Sequence, residues 1–414
     1  MNIFLKTMLR HVLPHGDVQF VTKGGVDRFG DGIGPHVRLR ITGRGAEWAL
    51  LFDPDLKLGE LYMDGRLIVE EGSIYDFLET VLTNLHNRPY PLFSRILYRI
   101  RGALRRFAQM NRGARATANV AHHYDLDAGL YDLFLDSDRQ YSCAYFEHPH
   151  RSLEEAQIAK KRHIAAKLAV EPGHSVLDIG CGWGGLGLYL ADVAGADVTG
   201  ITLSQEQYKI ARQRAIDRWL QNKVEFRIED YRETQGTFDR IVSVGMFEHV
   251  GVPYYDTYFK HCARLLDENG VMLLHTIGRT SAPGATNPWI AKYIFPGGYI
   301  PNLSEIIPSI TKAGLLVTDI EVLRLHYADT LRAWRERFLF NKAKAEALYD
   351  ARFVRMWEFY LGSCEASFRC GDDVVYQIQI SKQVDTLPVT RRYIGEREIR
   401  LMQRERAGLR LAAE

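Results

Sequence analysis

The stretch SVLDIGCGWGG, residues Ser175–Gly185, decides the fold. Val176 and Leu177 belong to an apolar run that is typical of a buried strand, and Asp178 closes that run. Four glycines then follow within six residues, namely Gly180, Gly182, Gly184 and Gly185. Glycine adopts left-handed backbone conformations and has no Cβ, so such a turn lets the backbone approach a ligand closely. The stretch therefore predicts a buried strand followed by a tight turn that holds a ligand.

From about residue 150 onward, strand-like segments alternate with helix-like ones. The predicted strands are Ser175–Ile179, Asp197–Ile201, Val224–Ile228, Arg240–Val244, Val271–Thr276, Leu315–Leu323 and Val374–Ser381. Ser204–Leu220 predicts a helix between the second and third strands, and the charged tail from Arg391 predicts another helix. This alternation is typical of a doubly wound parallel sheet, whose ligands bind at the C-terminal ends of the strands.

A glycine turn after a first strand fits either a dinucleotide or S-adenosylmethionine. Nicotinamide enzymes use G-x-G-x-x-G with an acid about 20 residues later, whereas this chain reads G-C-G-W-G-G and places Asp178 before the glycines. The second strand is followed by Thr202 and Gln207, and Asp230 follows the third strand. This is the pattern of class I methyltransferases. We therefore predict their Rossmann-like α/β fold with a mostly parallel sheet, and S-adenosylmethionine as the co-substrate.

Ionisable side chains follow the fourth and fifth predicted strands. Glu248 and His249 come after the fourth strand, and His275 lies at the end of the fifth. Because the ends of neighbouring parallel strands meet at one edge of a sheet, we expect Glu248 and His275 to face the same crevice. The alternative for a lone histidine after an apolar strand is a core residue with satisfied hydrogen bonds. Upstream, Cys143 lies among aromatic residues, where it is either a small buried hydrophobe or part of a site that stabilises positive charge.

The length of 414 residues favours a principal domain and a smaller one. The first 115 residues mix short strand-like runs with a helix from about Ser73, which predicts a small α+β domain. Between Arg88 and Arg115 there are eight arginines and no acid, with apolar residues at helical spacing. Such a basic amphipathic helix suits an anionic membrane surface, and a solvated helix between domains is the alternative. No motif accompanies the charge that would indicate nucleic-acid binding.

The cysteines indicate the compartment. They are odd in number and contain no C-x-x-C pair: Cys143, Cys181, Cys262, Cys364 and Cys370. This pattern favours a reducing, cytoplasmic environment and argues against both a disulfide framework and a zinc site, so we predict no metal. The N-terminal segment of 17 residues is basic and apolar, and we interpret it as an amphipathic helix and not as a signal peptide. No apolar stretch approaches the roughly 20 residues that cross a bilayer.

The chain resembles the cyclopropane-fatty-acyl-phospholipid synthases, a bacterial family that includes the mycolic acid cyclopropane synthases. The matching stretches are AHHYDLDAGLYDLFLD, YSCAYFE, VLDIGCGWGG, GITLSQEQ, DYRE, DRIVSVGMFEHVG, LLHTIG, WIAKYIFPGGYIP and DTLRAWRERF, in family order from about residue 119 to residue 382. LGELYMDG resembles the additional N-terminal domain of the longer family members. One departure is YDLDAG, where the family commonly has Y-D-x-G-N-D in the lid over its co-substrate.

The resemblance implies an enzyme that transfers a methylene unit from S-adenosylmethionine to the cis double bond of an unsaturated acyl chain in a membrane phospholipid. The implied donor-binding residues are Tyr141, Ser142, Gly180, Gly182, Thr202, Gln207, Asp230 and Tyr231, to which the strand position adds Asp178. The resemblance also implies bicarbonate as the base that removes a proton from a carbocation. The residues implied to hold it are Cys143, Glu248, His275, Tyr327 and the backbone of Ile277.

We divide the chain into a lipid-associating N-terminal domain with its basic linker helix (1–115), a catalytic domain (116–385) and a charged helical tail (386–414). The protein is predicted to associate peripherally with the inner face of the cell membrane, and the resemblance implies a homodimer. Three alternatives stay open. They are a methyl- or methylene-branched product on the same lipids, N-methylation of a small amine, and a non-catalytic lipid-binding protein of this fold.

Overall fold

The computed structural model describes residues 1–86, Leu97, 100–102 and 128–411. It forms two compact units. Unit 1 comprises Met1–Ala108, Gly284–Pro296 and Tyr327–Asp373, and unit 2 comprises Gln109–Pro283, Gly297–His326 and Val374–Glu414. Most of the predicted basic helix between Arg88 and Arg115, and the lid segment through Asp127, lie outside the described residues. Both therefore stay predictions.

Each compact unit is built from several separate segments of the chain. The domain boundaries predicted from the sequence, at residues 115 and 385, instead divide the chain into three consecutive segments. Two later segments pack within unit 1. The Trp289 Nε1–H donates to Met63 Sδ at 3.1 Å, and Arg355 Nε donates to the Met63 carbonyl at 2.7 Å. Contacts between residues this far apart in sequence cannot be predicted from local sequence patterns. The roles assigned to the three sequence segments stay predictions.

Unit 1 contains a four-stranded sheet in the order β2-β1-β3-β4. Its strands are β1 Asp17–Thr22, β2 Gly25–Phe29, β3 His36–Ile41 and β4 Leu67–Glu71. β1 and β3 are parallel, and the outer pairs are antiparallel. Alternate side chains of β3 are buried, so one face of the sheet covers the core. The helices are Ile3–Val12, Ala46–Phe52, Pro54–Met63, Ile74–His86, Pro288–Tyr293, His326–Phe340, Lys342–Leu348 and Ala351–Cys370. The predicted small α+β fold is confirmed.

Unit 2 contains a seven-stranded sheet in the order β10-β11-β9-β8-β5-β6-β7. Its strands are β5 Ser175–Ile179, β6 Asp197–Thr202, β7 Val224–Ile228, β8 Phe238–Val244, β9 Leu266–Arg279, β10 Leu316–Val322 and β11 Asp373–Ser381. The five strands from β7 to β9 in this order pair in parallel, and β10 pairs with β11 antiparallel. The helices are Ala128–Asp132, Leu153–Lys167, Gly185–Asp192, Gln205–Asp217, Tyr255–Leu265, Leu303–Lys312 and Arg392–Leu411. The predicted strands and the mostly parallel sheet are confirmed.

Both faces of this sheet are covered. Val176 of β5 lies in one hydrophobic core with Val198 and Val242, whereas Leu177 lies in a second core with Leu274. Because successive side chains of a strand point to opposite faces, these two cores lie on the two sides of the sheet, as in doubly wound folds. Among the described helices, none is both long and apolar enough to span a membrane.

Candidate active site

The glycine turn after β5 adopts the conformation that its sequence predicts. Gly180 has a φ of +83° and Gly184 a φ of +81°. A Cβ on Gly180 would lie 2.8 Å from Met246 Cβ, and one on Gly184 would lie 2.5 Å from Phe226 Cζ. Both distances are shorter than real Cβ contacts. Backbone conformation and space therefore both require glycine here, and helix Gly185–Asp192 begins directly after the turn.

The turn forms part of a cleft at the C-terminal ends of β5, β6, β7 and β8. All nine predicted donor-binding residues line this cleft: Tyr141, Ser142, Asp178, Gly180, Gly182, Thr202, Gln207, Asp230 and Tyr231. They come from four separate stretches of the chain, so the fold brings them together. Their individual contacts with a donor molecule stay predictions.

The hydrogen bonds at two strand ends fix the polar side chains of the cleft. The Thr202 hydroxyl donates to Gln207 Oε1 at 2.8 Å, which orients the amide in the first turn of helix Gln205–Asp217. Arg232 Nε donates to Asp230 Oδ1 at 2.8 Å. Burial disfavours the charged form of Asp230, but its hydrogen bonds with Arg232 outweigh burial and hold the carboxyl pKa below its usual value.

Asp178 is the acid that closes β5, and its side chain is fully buried. Burial raises its pKa to about 7, although the positive charge of Lys160 acts in the opposite direction. Its Oδ2 has no hydrogen-bond partner among the described residues. Buried polar atoms in native structures are nearly always hydrogen-bonded, so this oxygen is suited to a ligand that donates a hydrogen bond.

An aromatic wall borders the cleft. Tyr141 and Trp183 both line it, and each ring packs edge-on against Tyr131, with centroids 5.4 and 4.9 Å apart. Ring faces attract cations, so this wall suits a sulfonium group. Tyr145, the other tyrosine beside Cys143, instead stacks between His163 and His326, at 4.3 and 4.8 Å.

Several cleft residues were missed by the sequence analysis. They are Arg139, Gln140, Lys160, Trp183, Glu229, Arg232, His249 and Tyr254. His249 had been noted only as a polar residue after a strand, and burial lowers its pKa to about 4. Lys160 lies on helix Leu153–Lys167, whose charged and apolar residues alternate without a distinct polar face. Glu229 and Arg232 could have been predicted to line the cleft, because they lie close in sequence to Asp230, which was predicted to do so.

Glu248 lies in the short 3-10 helix Phe247–His249 that follows β8. Its Oε1 accepts a hydrogen bond from the Ile277 backbone N–H at 2.6 Å. Its Oε2 is buried and has no hydrogen-bond partner within the described part of the chain. Burial raises the pKa of this carboxyl and so favours its neutral form. The structure thus brings together two of the residues that the resemblance assigned to bicarbonate.

His275 lies on β9 in register with Val244 of β8, and it is fully buried. Burial, together with the positive charges of Lys160 and Lys167, lowers its pKa to about 3, so the ring is neutral. Its Nδ1 lies 3.2 Å from Gln377 Nε2. With the Gln377 amide in this orientation, its nitrogen donates and Nδ1 accepts, which places the hydrogen of the ring on Nε2 and lets Nε2 donate.

The two remaining predicted residues, Cys143 and Tyr327, have contacts of their own. Cys143 is buried in unit 2, where its Sγ donates to the Ala144 carbonyl at 3.3 Å. Tyr327 belongs to unit 1, where its ring packs against Trp334 and Phe368, with centroids 5.8 and 4.7 Å away. The assignment of Cys143, Glu248, His275, Ile277 and Tyr327 to one anion site stays a prediction.

Comparison with known proteins decides the family. Residues 111–378 match the family described as mycolic acid cyclopropane synthetase. The chain belongs to this family. It is 40% identical over 338 residues to the cyclopropane-fatty-acyl-phospholipid synthase of Escherichia coli, an alignment that covers 81% of this chain and 85% of that relative. The resemblance inferred from the motifs is confirmed, and the chain is a methyltransferase of the S-adenosylmethionine-dependent type.

Two further family members are informative. The tuberculostearic acid methyltransferase UfaA1 of Mycobacterium tuberculosis is 38% identical over 335 residues, which are 77% of each chain. The crystal structure of the mycolic acid cyclopropane synthase CmaA1, complexed with SAH and CTAB, is similar with a TM-score of 0.60 at 35% identity, over 64% of this chain and 97% of that one. These matches confirm the class I methyltransferase fold of unit 2.

Proposed function

We propose that this protein transfers a methylene unit from S-adenosylmethionine to the cis double bond of an unsaturated acyl chain in a membrane phospholipid, and so forms a cyclopropane ring. One observation carries the proposal. Unit 2 combines a cleft lined by all nine predicted donor residues with a buried carboxyl, Glu248, whose Oε1 is held by the Ile277 N–H. The E. coli relative, named as a cyclopropane-fatty-acyl-phospholipid synthase, supports the substrate class.

The reaction needs two changes at the alkene. The sulfonium methyl bonds to one alkene carbon, S-adenosylhomocysteine leaves, and the second alkene carbon becomes a cation. The new methyl group then loses one proton to a base. Its carbon bonds to the cationic carbon, and this bond closes the ring. Because an isolated alkene is a poor nucleophile, holding donor and alkene in close contact has to lower much of the barrier.

The side chains on unit 2 suit these changes. The rings of Tyr141 and Trp183 stabilise positive charge and exclude water that would convert the cation to an alcohol. Glu248 in its neutral form offers an O–H at Oε2, and His275 offers an N–H at Nε2. We assign a small oxyanion to these donors, and bicarbonate, when bound there, supplies a base for the methyl proton. Cys143 is the further residue of unit 2 that we assign to this anion.

Product analysis tests the proposed function. Phospholipids from a host that expresses the protein are expected to contain acyl chains heavier by one CH₂ unit that take up no hydrogen under mild hydrogenation. The host that expresses the Glu248→Ala variant is the matched control. The absence of such acyl chains from the host that expresses the wild-type protein would contradict the proposal.

A branched product is the second candidate, because UfaA1 is named as a methyltransferase and not as a cyclopropane synthase. A methylene-branched chain has the same mass as the ring but takes up one H₂, and a saturated methyl branch is heavier by a further H₂. N-methylation of a small amine is less favoured, since an amine needs no base to collect a proton from the transferred methyl.

We also propose that the protein acts at the cytoplasmic face of the membrane, where its substrate resides. Unit 1 carries an aromatic surface cluster formed by Phe4, Trp48 and Phe52, which are 62%, 46% and 52% exposed. The Phe4 and Trp48 rings are 6.1 Å apart, and the Trp48 and Phe52 rings stack at 5.8 Å. Helix Ile3–Val12 adds an exposed Arg10 and contains no acid. Exposed aromatic groups beside cationic ones suit an anionic bilayer surface.

Replacing Trp48 and Phe52 together by serine is expected to lower affinity for phosphatidylglycerol vesicles by about tenfold or more, since each ring contributes apolar area to the bilayer interface. Sedimentation with the vesicles measures this change. Trp219→Ser is the control, because Trp219 is 85% exposed and belongs to unit 2. Equal losses of vesicle affinity in both variants would remove the cluster from the proposed membrane contact.

The implied homodimer stays a prediction that sedimentation of the free protein can test.

A further inference from the structure

Helix Leu153–Lys167 buries several cations, and one of them differs from the rest. Lys161 pairs with Asp138, Arg162 pairs with Glu405 at 2.8 Å, and Lys167 pairs with Glu321. Lys160 is only 1% exposed, yet it forms no ion pair with any carboxylate of the described residues. Its Nζ donates to Gln140 Oε1 at 2.6 Å and to Ser142 Oγ at 2.9 Å, both of which are neutral.

An unpaired buried ammonium is costly, because burial removes its hydration without an opposite charge in return. Lys160 lines the donor cleft together with Gln140 and Ser142, so a ligand can reach it. Anchoring the loop does not require the charge. Gln157, one turn earlier on the helix, already donates to the Gln140 and Ser142 carbonyls at 3.2 and 3.0 Å. The missing partner of Lys160 is therefore best sought in the ligand.

The same cleft holds a complementary group. Asp178 is buried, and its Oδ2 has no partner among the described residues. The positive charge of Lys160 lowers the pKa of Asp178 and so opposes the effect of burial. Lys160 and Asp178 are thus a buried cation and a buried acid of one cleft that are not paired with each other. S-adenosylmethionine carries an α-carboxylate and an α-ammonium on adjacent atoms of its amino-acid half. A zwitterion of this kind satisfies both buried groups at once.

We propose that Lys160 and the Ser142 hydroxyl form a carboxylate subsite, which binds the α-carboxylate of the donor while Asp178 binds the α-ammonium. The inference rests on the proposed donor and goes beyond it by assigning a residue that no family motif marked. Because Ser142 Oγ accepts from Lys160, its own O–H is free to donate. Lys160 keeps a third N–H for the same carboxylate.

The subsite predicts a pH dependence. The charges that act on Lys160 come from Asp136, Asp138, Lys161 and Cys143, and Lys160 in turn acts on Asp178 and His275. Burial lowers the pKa of Lys160 to about 8, although Asp136 opposes this shift. A bound carboxylate raises that pKa. The contribution of Lys160 to donor affinity should therefore be complete below pH 8 and fall as the pH rises above it, by at most about tenfold per pH unit. The contribution of Asp178, whose pKa is about 7, falls in the opposite direction, as the pH decreases below that value.

The test compares two ligands in isothermal titrations of the full chain. S-adenosylhomocysteine carries the amino-acid half, and 5′-methylthioadenosine lacks it. Lys160→Met is expected to weaken S-adenosylhomocysteine binding by about 10- to 100-fold, because a charge-assisted hydrogen bond is lost, and to leave 5′-methylthioadenosine binding within about twofold. Lys161→Met removes the neighbouring ammonium, and its ratio of the two affinities should match that of the wild type.

Lys160→Arg supplies a second measurement that does not depend on the stability of the methionine variant. Arginine keeps its charge at all accessible pH values. Between pH 7 and pH 9, the affinity of this variant for S-adenosylhomocysteine should therefore decline less than that of the wild type, because the loss of charge on Lys160 no longer contributes. Equal weakening of both ligands by Lys160→Met, or identical pH profiles for wild type and Lys160→Arg, would overturn the inference. Wild-type protein that binds neither ligand would overturn the proposed donor as well, whereas binding without ring formation would overturn only the proposed reaction.

Discussion

Glu248→Ala is expected to lower ring formation by about 10²- to 10³-fold while leaving S-adenosylhomocysteine affinity within about twofold, since this is the usual effect of removing one preorganised group beside a developing charge. Glu248 does not line the donor cleft, and its Oε1 is engaged with the Ile277 N–H at 2.6 Å. The variant removes both oxygens of a buried carboxyl and leaves the Ile277 N–H without its acceptor. Ring formation on vesicles of unsaturated phospholipid, measured beside isothermal titration, separates the two effects.

Glu248→Gln distinguishes the protonation state in which this residue acts. Burial raises the pKa of this carboxyl, although the hydrogen bond from the Ile277 N–H at Oε1 acts in the opposite direction, and the form that we propose to be active is the neutral acid with its O–H at Oε2. Glutamine offers the same acceptor and donor in the same shape, so it should keep clearly more activity than alanine. Glu268→Gln is the matched control, because Glu268 lies at the start of β9 but is 72% exposed and pairs only with surface groups. Gln and Ala variants of equal activity would show that Glu248 acts as the anion, and full activity in both would remove it from the reaction.

The inner strands of the central sheet could be predicted closely because they are buried on both faces. β5 has the predicted bounds, since parallel strands covered on both sides appear as continuous apolar runs between turn residues. The edge strand β7 also has the predicted bounds, although Glu225 and Arg227 interrupt its apolar residues. β9 is longer than predicted and begins at Leu266. Asp267, Glu268 and Asn269 do not resemble strand residues, but Leu266 before them and Val271 after them both pair with β8, and the strand continues between these pairs across a register shift. Tertiary pairing here outweighs local propensity.

The cleft was predictable at its strand ends and not on its helix. Asp178, Thr202 and Asp230 follow strands in order, so the topology alone places them at one edge of the sheet. Lys160 follows no such rule. Whether a cation of helix Leu153–Lys167 faces the cleft or the interior depends on acids as distant as Glu405, which only the folded chain brings near. The packing of residues 284–296 in unit 1 could not be predicted either, because it also depends on residues that are distant in sequence.

Gly180→Ala is expected to lower ring formation by about 10²-fold and S-adenosylhomocysteine affinity by at least about tenfold, because small displacements of a positioning element have effects of this size. The added Cβ lies 2.8 Å from Met246 Cβ, which belongs to the cleft lining, so either Met246 or the turn has to move. Alanine at a φ of +83° also costs about 1–2 kcal/mol of folding stability. Activity and affinity are measured beside thermal unfolding, so that the two consequences can be separated.

Gly173→Ala isolates the backbone cost, since Gly173 has a φ of +84° just before β5 and a Cβ there has nothing within 4 Å. Both variants therefore carry the backbone cost, but only Gly180→Ala also introduces a Cβ that meets Met246 in the cleft. Thermal unfolding should show a decrease in Tm of about 2–4 °C for Gly173→Ala and a decrease at least as large for Gly180→Ala, while donor affinity changes in Gly180→Ala alone. Equal affinity in the two variants would mean that the glycine turn serves the fold and that the donor does not depend on its close approach to the backbone.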